Sequence, residues 1–413
     1  MSRSGSLRRA AIVAPMRTPV GKFGGALAPF TAGELGAHVI KALVDRTGIE
    51  PARVDDVVFA QGYPNGEAPA VGRWAWLAAG MPIEVPGYQL DRRCGAGLQA
   101  VIDAAMMVQT GAADMVVAGG VESMSNVEHY STQIRNGVKS GDIKLHDRLT
   151  RSRAMSQPIE RFGLISGMIE TAENLAKDWS ITREQCDAYA VRSHQRAAAA
   201  WDAGLFADEI VPVAIPQKRG QPLVFDQDEG YRADATTESL GKLPAISAKS
   251  IDGAVVTAGN ASQQNDAAAV CLVVAEDKLN ELGLEPIAWF YGWAAAGCDP
   301  ARMGIGPVPA VERLFARTGL GWSDIDLVEL NEAFASQVLA VLKGWNWSDD
   351  DSRREMLNVN GSGISLGHPI GATGVRILAG LTRELQRREG RFGLETMCIG
   401  GGQGIAAVFE RAR

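Results

Sequence analysis

Two cysteines and one histidine stand beside glycine-rich turns in this sequence, and together they could carry out nucleophilic and acid–base chemistry. Cys94 directly precedes Gly95-Ala96-Gly97 and the helix that those residues open. A thiol at a helix N-terminus feels the positive end of the dipole and unpaired backbone donors. Its pKa is expected to fall, giving a thiolate nucleophile. His368 lies in Ser365-Leu366-Gly367-His368-Pro369. Proline fixes the chain just after the imidazole, and a rigidly held histidine suits a general base. Cys398 ends an apolar strand and precedes Ile399-Gly400-Gly401-Gly402-Gln403-Gly404, a run whose backbone N–H groups could bind an oxyanion. Asn331 follows the apolar stretch Ile325 to Leu330, and polar residues at the C-terminal ends of strands commonly line α/β active sites. Taken singly, each has a plainer reading. Cys94 could be a buried structural thiol and His368 a capping or core histidine.

The elements that must position these groups alternate between helix and strand. Thr31 and Glu34 form a capping-box pattern and Gly48 a stop, which predicts a helix over 32–47. A strand is expected at 54–60, a helix at 95–109 ended by Gly111, and a strand from Asp114 to Ala118 running into Gly119-Gly120. This is the pattern of an α/β layered fold. From Ser123 to about Ala248 the pattern changes to a polar stretch and then helices. Thr182 with Gln185 opens a helix that stops near Gly204. The α/β pattern resumes with Gly253-Ala254-Val255-Val256-Thr257, and Ala267 to Ala275 reads as a buried strand. The expected organisation is an N-terminal α/β half (1–123 and 249–280), an inserted loop domain (124–248) and a C-terminal α/β half (281–413).

A weak internal repeat supports two halves. Cys94-Gly95-Ala96-Gly97 opens a helix that leads to the strand ending in Gly119-Gly120. His368-Pro369-Ile370-Gly371-Ala372-Thr373-Gly374 opens another, which leads to the strand ending in Cys398-Ile399-Gly400. A duplicated fold with one site at the junction of its halves would explain this. Chance similarity of glycine-rich turns is the alternative.

Composition narrows the functions open to the chain. Its 413 residues are 46% hydrophobic and 22% charged, enough for a large core. The net charge of −7 disfavours nonspecific binding to nucleic acid or anionic membranes, so an anionic ligand would need local cations. No apolar run is long enough to span a bilayer. Five cysteines without a CxxC pair and five scattered histidines argue against a disulfide framework and a metal site, and fit a reducing cytoplasm. The glycine-rich run after Cys398 lacks the Lys-Ser/Thr of a P-loop, and no dinucleotide fingerprint occurs.

Together the segments resemble the thiolase family motif by motif, over nearly the whole chain. The matching stretches include Arg17-Thr18-Pro19-Val20-Gly21-Lys22-Phe23-Gly24-Gly25, Gly119-Gly120-Val121-Glu122-Ser123-Met124-Ser125 and Thr171-Ala172-Glu173-Asn174. They continue with Thr257-Ala258-Gly259-Asn260-Ala261-Ser262, Asn331-Glu332-Ala333-Phe334, Gly367-His368-Pro369 and the Cys398 loop. The resemblance implies a duplicated five-layered αβαβα fold with an inserted loop domain, and a homodimer or homotetramer. It also implies reversible, CoA-dependent cleavage or formation of the carbon–carbon bond of a 3-oxoacyl-CoA, with acyl-CoA and CoA as substrates and no cofactor. By the same resemblance Cys94 would carry the acyl group as a thioester, and His368 would take its proton. Cys398 would move the proton at the α-carbon of the nucleophile. Asn331 would hold a water in one oxyanion hole, and the backbone N–H groups of Cys94 and Gly400 would form the other. Met168, Ala258, Ser262, Ala333 and Phe334 match positions lining the pantetheine tunnel. Lys218 and Arg219 fall where a basic residue meets the nucleotide, although a solvated loop pair reads equally well there. Gln263-Gln264, Gly167, Ile169-Glu170, Ser362 and Ser365 depart from the usual pattern and leave acyl-chain preference open. A decarboxylating 3-oxoacyl synthase would pair its cysteine with two histidines, where this chain has Asn331 and Cys398. A non-catalytic CoA- or lipid-binding relative would not need all four groups.

Overall fold

The computed structural model of the chain describes residues 7–165 and 167–413. Its main strands are β1 (Ala10–Arg17), β2 (Asp56–Ala60), β3 (Gly87–Leu90), β4 (Met115–Ser123), β5 (Asn265–Ala275), β6 (Ala288–Gly297), β7 (Leu327–Leu330), β8 (Phe392–Ile399) and β9 (Gln403–Arg411). The helices used below are α1 (Ala32–Thr47), α2 (Val71–Ala78), α3 (Ala96–Thr110), α4 (Arg148–Ala154), α5 (Met168–Asp178), α6 (Arg183–Asp202), α7 (Pro307–Thr318), α8 (Ala335–Gly344) and α9 (Thr373–Arg387).

The strands follow the order β7-β8-β9-β6-β1-β5-β4-β2-β3, with the short strand Gly21–Lys22 added beside β5. The two sides of this path mirror each other. In each half a parallel pair (β2 with β4, β7 with β8) is followed by antiparallel partners. In the strand order the halves join where β1 meets β6, through Ala11–Trp289 and Ile12–Ala288. The repeat read between the Cys94 and His368 segments is therefore a repeat of structure.

Strand periodicity explains the layers. Along β2, Val57 and Phe59 face α1 and α2, while Val58 and Ala60 face α3. Leu98, Val101 and Ile102 of α3 pack with Val375 and Leu378 of α9 in a central core, closed on its far side by Ile399, Ile405 and Phe409. A third core sets Val311, Leu314, Val338 and Val341 of α7 and α8 against Leu330, Leu394 and Val408. Three cores between helices and strands make five layers, α-β-α-β-α. Helices cover both faces of the strands, which accounts for nearly continuous apolar runs such as β5.

The two central helices cross where neither has a side chain. A Cβ on Gly97 would lie 2.8 Å from the Gly371 carbonyl oxygen and 2.9 Å from the Gly374 nitrogen. A Cβ on Gly374 would collide with the Leu98 backbone. This contact brings the starts of α3 and α9 together, and with them Cys94 and His368.

Local expectations fare well where the signal is local. Thr31 and Glu34 form a reciprocal capping box and Gly48 closes α1 with φ 65°. Thr182 and Gln185 do the same for α6. The strand expected from Val54 begins at Asp56, because Pro51–Arg53 forms a 3₁₀ turn that Val54 closes. Gly253–Thr257, where the α/β pattern was expected to resume, forms no strand. The Val255 and Val256 backbone N–H groups donate to the Glu173 carboxylate on α5 at 2.9 and 3.0 Å, so a side chain replaces a strand partner. Between β4 and β5 the chain forms α4, α5, α6 and two small ribbons, His129–Tyr130 with His146–Asp147 and Val213–Ile215 with Leu223–Phe225. Among the described residues no helix is long and apolar enough to cross a membrane.

The helix crossing predicts a stability cost. Gly374→Ala is expected to destabilise the fold by about 1–3 kcal/mol through overpacking. Urea unfolding checks this, and an unchanged midpoint would mean that the helices separate without strain.

Candidate active site

Cys94 sits in the 3₁₀ turn Arg93–Gly95, immediately before α3. Arg93 takes a left-handed conformation, φ 49°, which turns the chain into the helix. The thiol is buried against a cavity of about 860 Å³. The Gly400 backbone N–H, from the other half of the molecule, is near enough to favour a charge on its sulfur. Gly401 and Gly402 follow with φ 88° and 84°, so this loop folds back in a way that side chains would resist. The expected fall in the Cys94 pKa is not what the environment produces. Burial raises it above the ordinary thiol value, and the Gly400 N–H and Arg93 offset only part of that rise. Desolvation outweighs the helix start, so the resting group is a neutral thiol that needs a base.

His368 is placed to be that base. Its backbone N–H donates to Asn265 Oδ1 at 2.9 Å, which ties its loop to β5. The ring Nδ1 lies 2.7 Å from Thr373 Oγ1. The Thr373 hydroxyl donates to the Pro369 carbonyl at 2.9 Å, so its oxygen is free to accept a proton from Nδ1–H. That assigns the Nδ1–H tautomer and leaves a lone pair on Nε2. Nε2 is buried with no hydrogen-bond partner among the described residues, and His368 lines the same cavity as Cys94. Burial, reinforced by Arg376 and Arg153, pushes its pKa down to about 3, so the imidazole is neutral.

Asn331 and Cys398 are buried and do not line the cavity. Both amide atoms of Asn331 are buried without a partner among the described residues, an arrangement that calls for a further polar group. Beside it, the Glu332 carboxylate accepts from Tyr189 Oη at 2.9 Å, Ser193 Oγ at 2.6 Å, Asn358 Nδ2 at 3.0 Å and the Ile364 N–H at 3.3 Å. This knot holds α6, the end of β7 and the His368 loop in one arrangement. Cys398 is fully buried at the end of β8, within electrostatic range of Cys94 and Cys298. Burial, with those two thiols, pushes its pKa well above the ordinary value.

Gly400, Met168, Ala258, Ser262, Ala333 and Phe334 line the cavity. The Ser262 N–H donates to the Ala333 carbonyl at 2.9 Å, joining walls contributed by the two halves. Lys218 and Arg219 do not line it. They lie on the exposed turn between Val213–Ile215 and Leu223–Phe225. Several groups were not foreseen. Tyr63, Arg93, Arg153, Met303 and Ile370 line the cavity. Glu122 accepts from the Gly62, Tyr63 and Gly371 backbone N–H groups at 2.8, 3.2 and 3.0 Å, linking the first half to the His368 loop. Burial raises its pKa to about 7. Its place at the end of β4, inside a run of small residues, was the available signal.

Comparison with known proteins agrees with this architecture. The family model described as the thiolase N-terminal domain matches residues 10–277, and that of the thiolase C-terminal domain matches 284–411. The acetyl-CoA acetyltransferase of Chromobacterium violaceum is 46% identical over 401 residues, covering 97% of this chain and 99% of its own. The crystal structure of the Bacillus anthracis acetyl-CoA acetyltransferase aligns with a TM-score of 0.92 at 43% identity, covering 99% of this chain and 100% of that one. Human mitochondrial 3-ketoacyl-CoA thiolase in complex with CoA aligns with a TM-score of 0.90 at 38% identity, covering 98% of both chains. The chain belongs to the thiolase family and is an acyltransferase of that class.

A neutral resting thiol has a measurable signature. Alkylation of Cys94 by iodoacetamide, followed by mass spectrometry, is expected to keep accelerating through pH 9.0, the value from which burial raises it. A rate that levels off below about pH 8 would show a preformed thiolate.

Proposed function

We propose that the enzyme catalyses reversible thiolysis of 3-oxoacyl-CoA, and in reverse the condensation of two acyl-CoA molecules, acetoacetyl-CoA from acetyl-CoA among them, by a ping-pong route through a Cys94 thioester. One observation carries this reading: the Cys94 thiol, beneath the Gly400 N–H, shares a cavity with the free lone pair of His368 Nε2. In thiolysis, His368 takes the Cys94 proton and the sulfur attacks the 3-oxo carbon. The C2–C3 bond breaks, and its electron pair stays on C2 as an enolate. Cys398 then delivers the proton to C2. The CoA thiol next gives its proton to Cys398 and displaces the acyl group from Cys94, whose sulfur takes back the proton held on His368. The backbone N–H groups of Cys94 and Gly400 hold one thioester oxygen. His368 and a water on Asn331 hold the other, which gives the unpartnered Asn331 amide a role.

Met168, Ala258, Ser262, Ala333 and Phe334 would grip the pantetheine arm. Lys218 and Arg219, outside the cavity, would meet only a nucleotide that projects from it. We assign residues 124–248 as an inserted domain that serves CoA and oligomerisation. The exposed Ile134, Val138, Ile143 and Leu145 in that segment suit a buried interface of a homodimer or homotetramer. Light scattering distinguishes these assemblies, and a monomer would reject both. The five cysteines are free, which fits a reducing cytoplasm.

The two catalytic cysteines can be separated by role. Cys398→Ala is expected to be acylated at Cys94 by acetyl-CoA. It should lose condensation and α-proton exchange by about 10²–10⁴-fold, the scale of a positioned acid or base. Cys94→Ala should lose acylation altogether. Wild-type α-proton exchange in Cys398→Ala would assign the base to another group.

A further inference from the structure

Helix α4 carries three arginines, and two of them are accounted for. Arg148 pairs with Glu128, and Arg151 lies against the His146 ring at 3.1 Å. Arg153 instead lines the cavity. Its Nε donates to Tyr63 Oη at 3.0 Å, which orients the guanidinium, and its Nη atoms make no hydrogen bond among the described residues. Tyr63 is 2% exposed and lines the same cavity. Its oxygen accepts from Arg153, so its own O–H proton is free to be donated. Arg93, next to Cys94, adds a second cation whose guanidinium makes, among the described residues, only long bonds to the Gly62 and Ser152 carbonyls, at 3.4 and 3.3 Å.

These groups gather at the reacting end of the cavity. Tyr63 lies within electrostatic range of Cys94, and Arg153 within range of His368. Neither arginine has an ion pair among the described residues. The nearby buried carboxylate, Glu122, already accepts three backbone N–H bonds. On a chain of net charge −7, two cavity-lining arginines with no ion pair among the described residues, together with a phenol proton, can receive an anion even with Glu170 on the same wall.

We infer that Arg153, oriented by Tyr63 and flanked by Arg93, selects 3-oxoacyl-CoA substrates whose acyl chain ends in a carboxylate. This rests on the thiolase reading of the same site. In the step served, the Cys94 sulfur bonds to the 3-oxo carbon while the C2–C3 bond breaks, and C2 takes a proton and leaves as acetyl-CoA. The acyl group left on Cys94 keeps its distal carboxylate on Arg153 and Tyr63. The CoA thiol then displaces that group as the CoA thioester of a dicarboxylic acid and returns a proton to Cys94. No oxidant or reductant is needed. A neutral chain of equal length would leave the arginines unpaired beside an apolar chain end, which is the basis of discrimination.

A matched pair of probes tests this. 3-Oxoadipyl-CoA and 3-oxohexanoyl-CoA share a six-carbon acyl chain and differ at its end, carboxylate against methyl. The wild-type enzyme is expected to favour the first in kcat/KM. Arg153→Met should lower the ratio of the two constants by roughly 10- to 100-fold, the scale of a lost charge-assisted bond. Arg153→Lys should restore part of it. A wild-type preference for the neutral chain would overturn the inference. So would equal losses on both substrates. A raised KM for CoA with an unchanged ratio would overturn it as well, and would assign Arg153 to a CoA phosphate. Absence of thiolysis with both probes and with acetoacetyl-CoA would instead overturn the thiolase reading beneath it.

Discussion

The close crossing of α3 and α9 at Gly97 and Gly374 is the constraint on which the molecule depends. Two similar α/β halves could meet in many ways. With no side chain at the crossing, the backbones approach directly and only one arrangement packs. Both helix starts then open on the same side. Cys94 belongs to one start and His368 to the loop before the other, so the site exists only as a product of the junction. Glu122 and Asn265 reinforce it by binding the His368 loop from the first half.

The chemistry that follows is one of neutral groups kept ready. Burial holds both the Cys94 thiol and the His368 imidazole uncharged, because neither charge would be well solvated there. In the proposed route, charge would arise only as the proton passes from sulfur to Nε2, at a moment when backbone N–H groups and bound substrate are in place. A preformed ion pair would carry its desolvation cost throughout the resting state.

Much of this was legible in the sequence, and the failures have a common cause. Capping boxes at Thr31 and Thr182, the stop at Gly48 and the buried run of β5 rest on neighbours a few residues apart, and they were read correctly. The paired glycine-rich helix starts showed the duplication. Gly253–Thr257 misled because its backbone donors are taken by Glu173, far away in sequence. The Cys94 pKa misled because helix position is local, whereas desolvation is set by the whole fold. Tyr63 and Arg153 went unnoticed because 90 positions separate them and neither lies in a glycine-rich motif. Lys218 and Arg219 stand on an exposed turn outside the cavity wall, so charge and position along the chain do not by themselves decide what they meet.

The shared cavity also imposes a rule of traffic. At about 860 Å³ it falls within the roughly 300–1,000 Å³ of a single-ligand pocket. Cys94 and His368 both open into it, and its walls are stitched together by the Ser262–Ala333 bond. Two bulky carriers cannot occupy such a space at once. In the proposed ping-pong route, the first visitor would hand over its cargo and back out before the second reached the same sulfur. Covalent storage on the enzyme would then suit the building as much as the reaction, because the cargo needs somewhere to wait while the doorway clears.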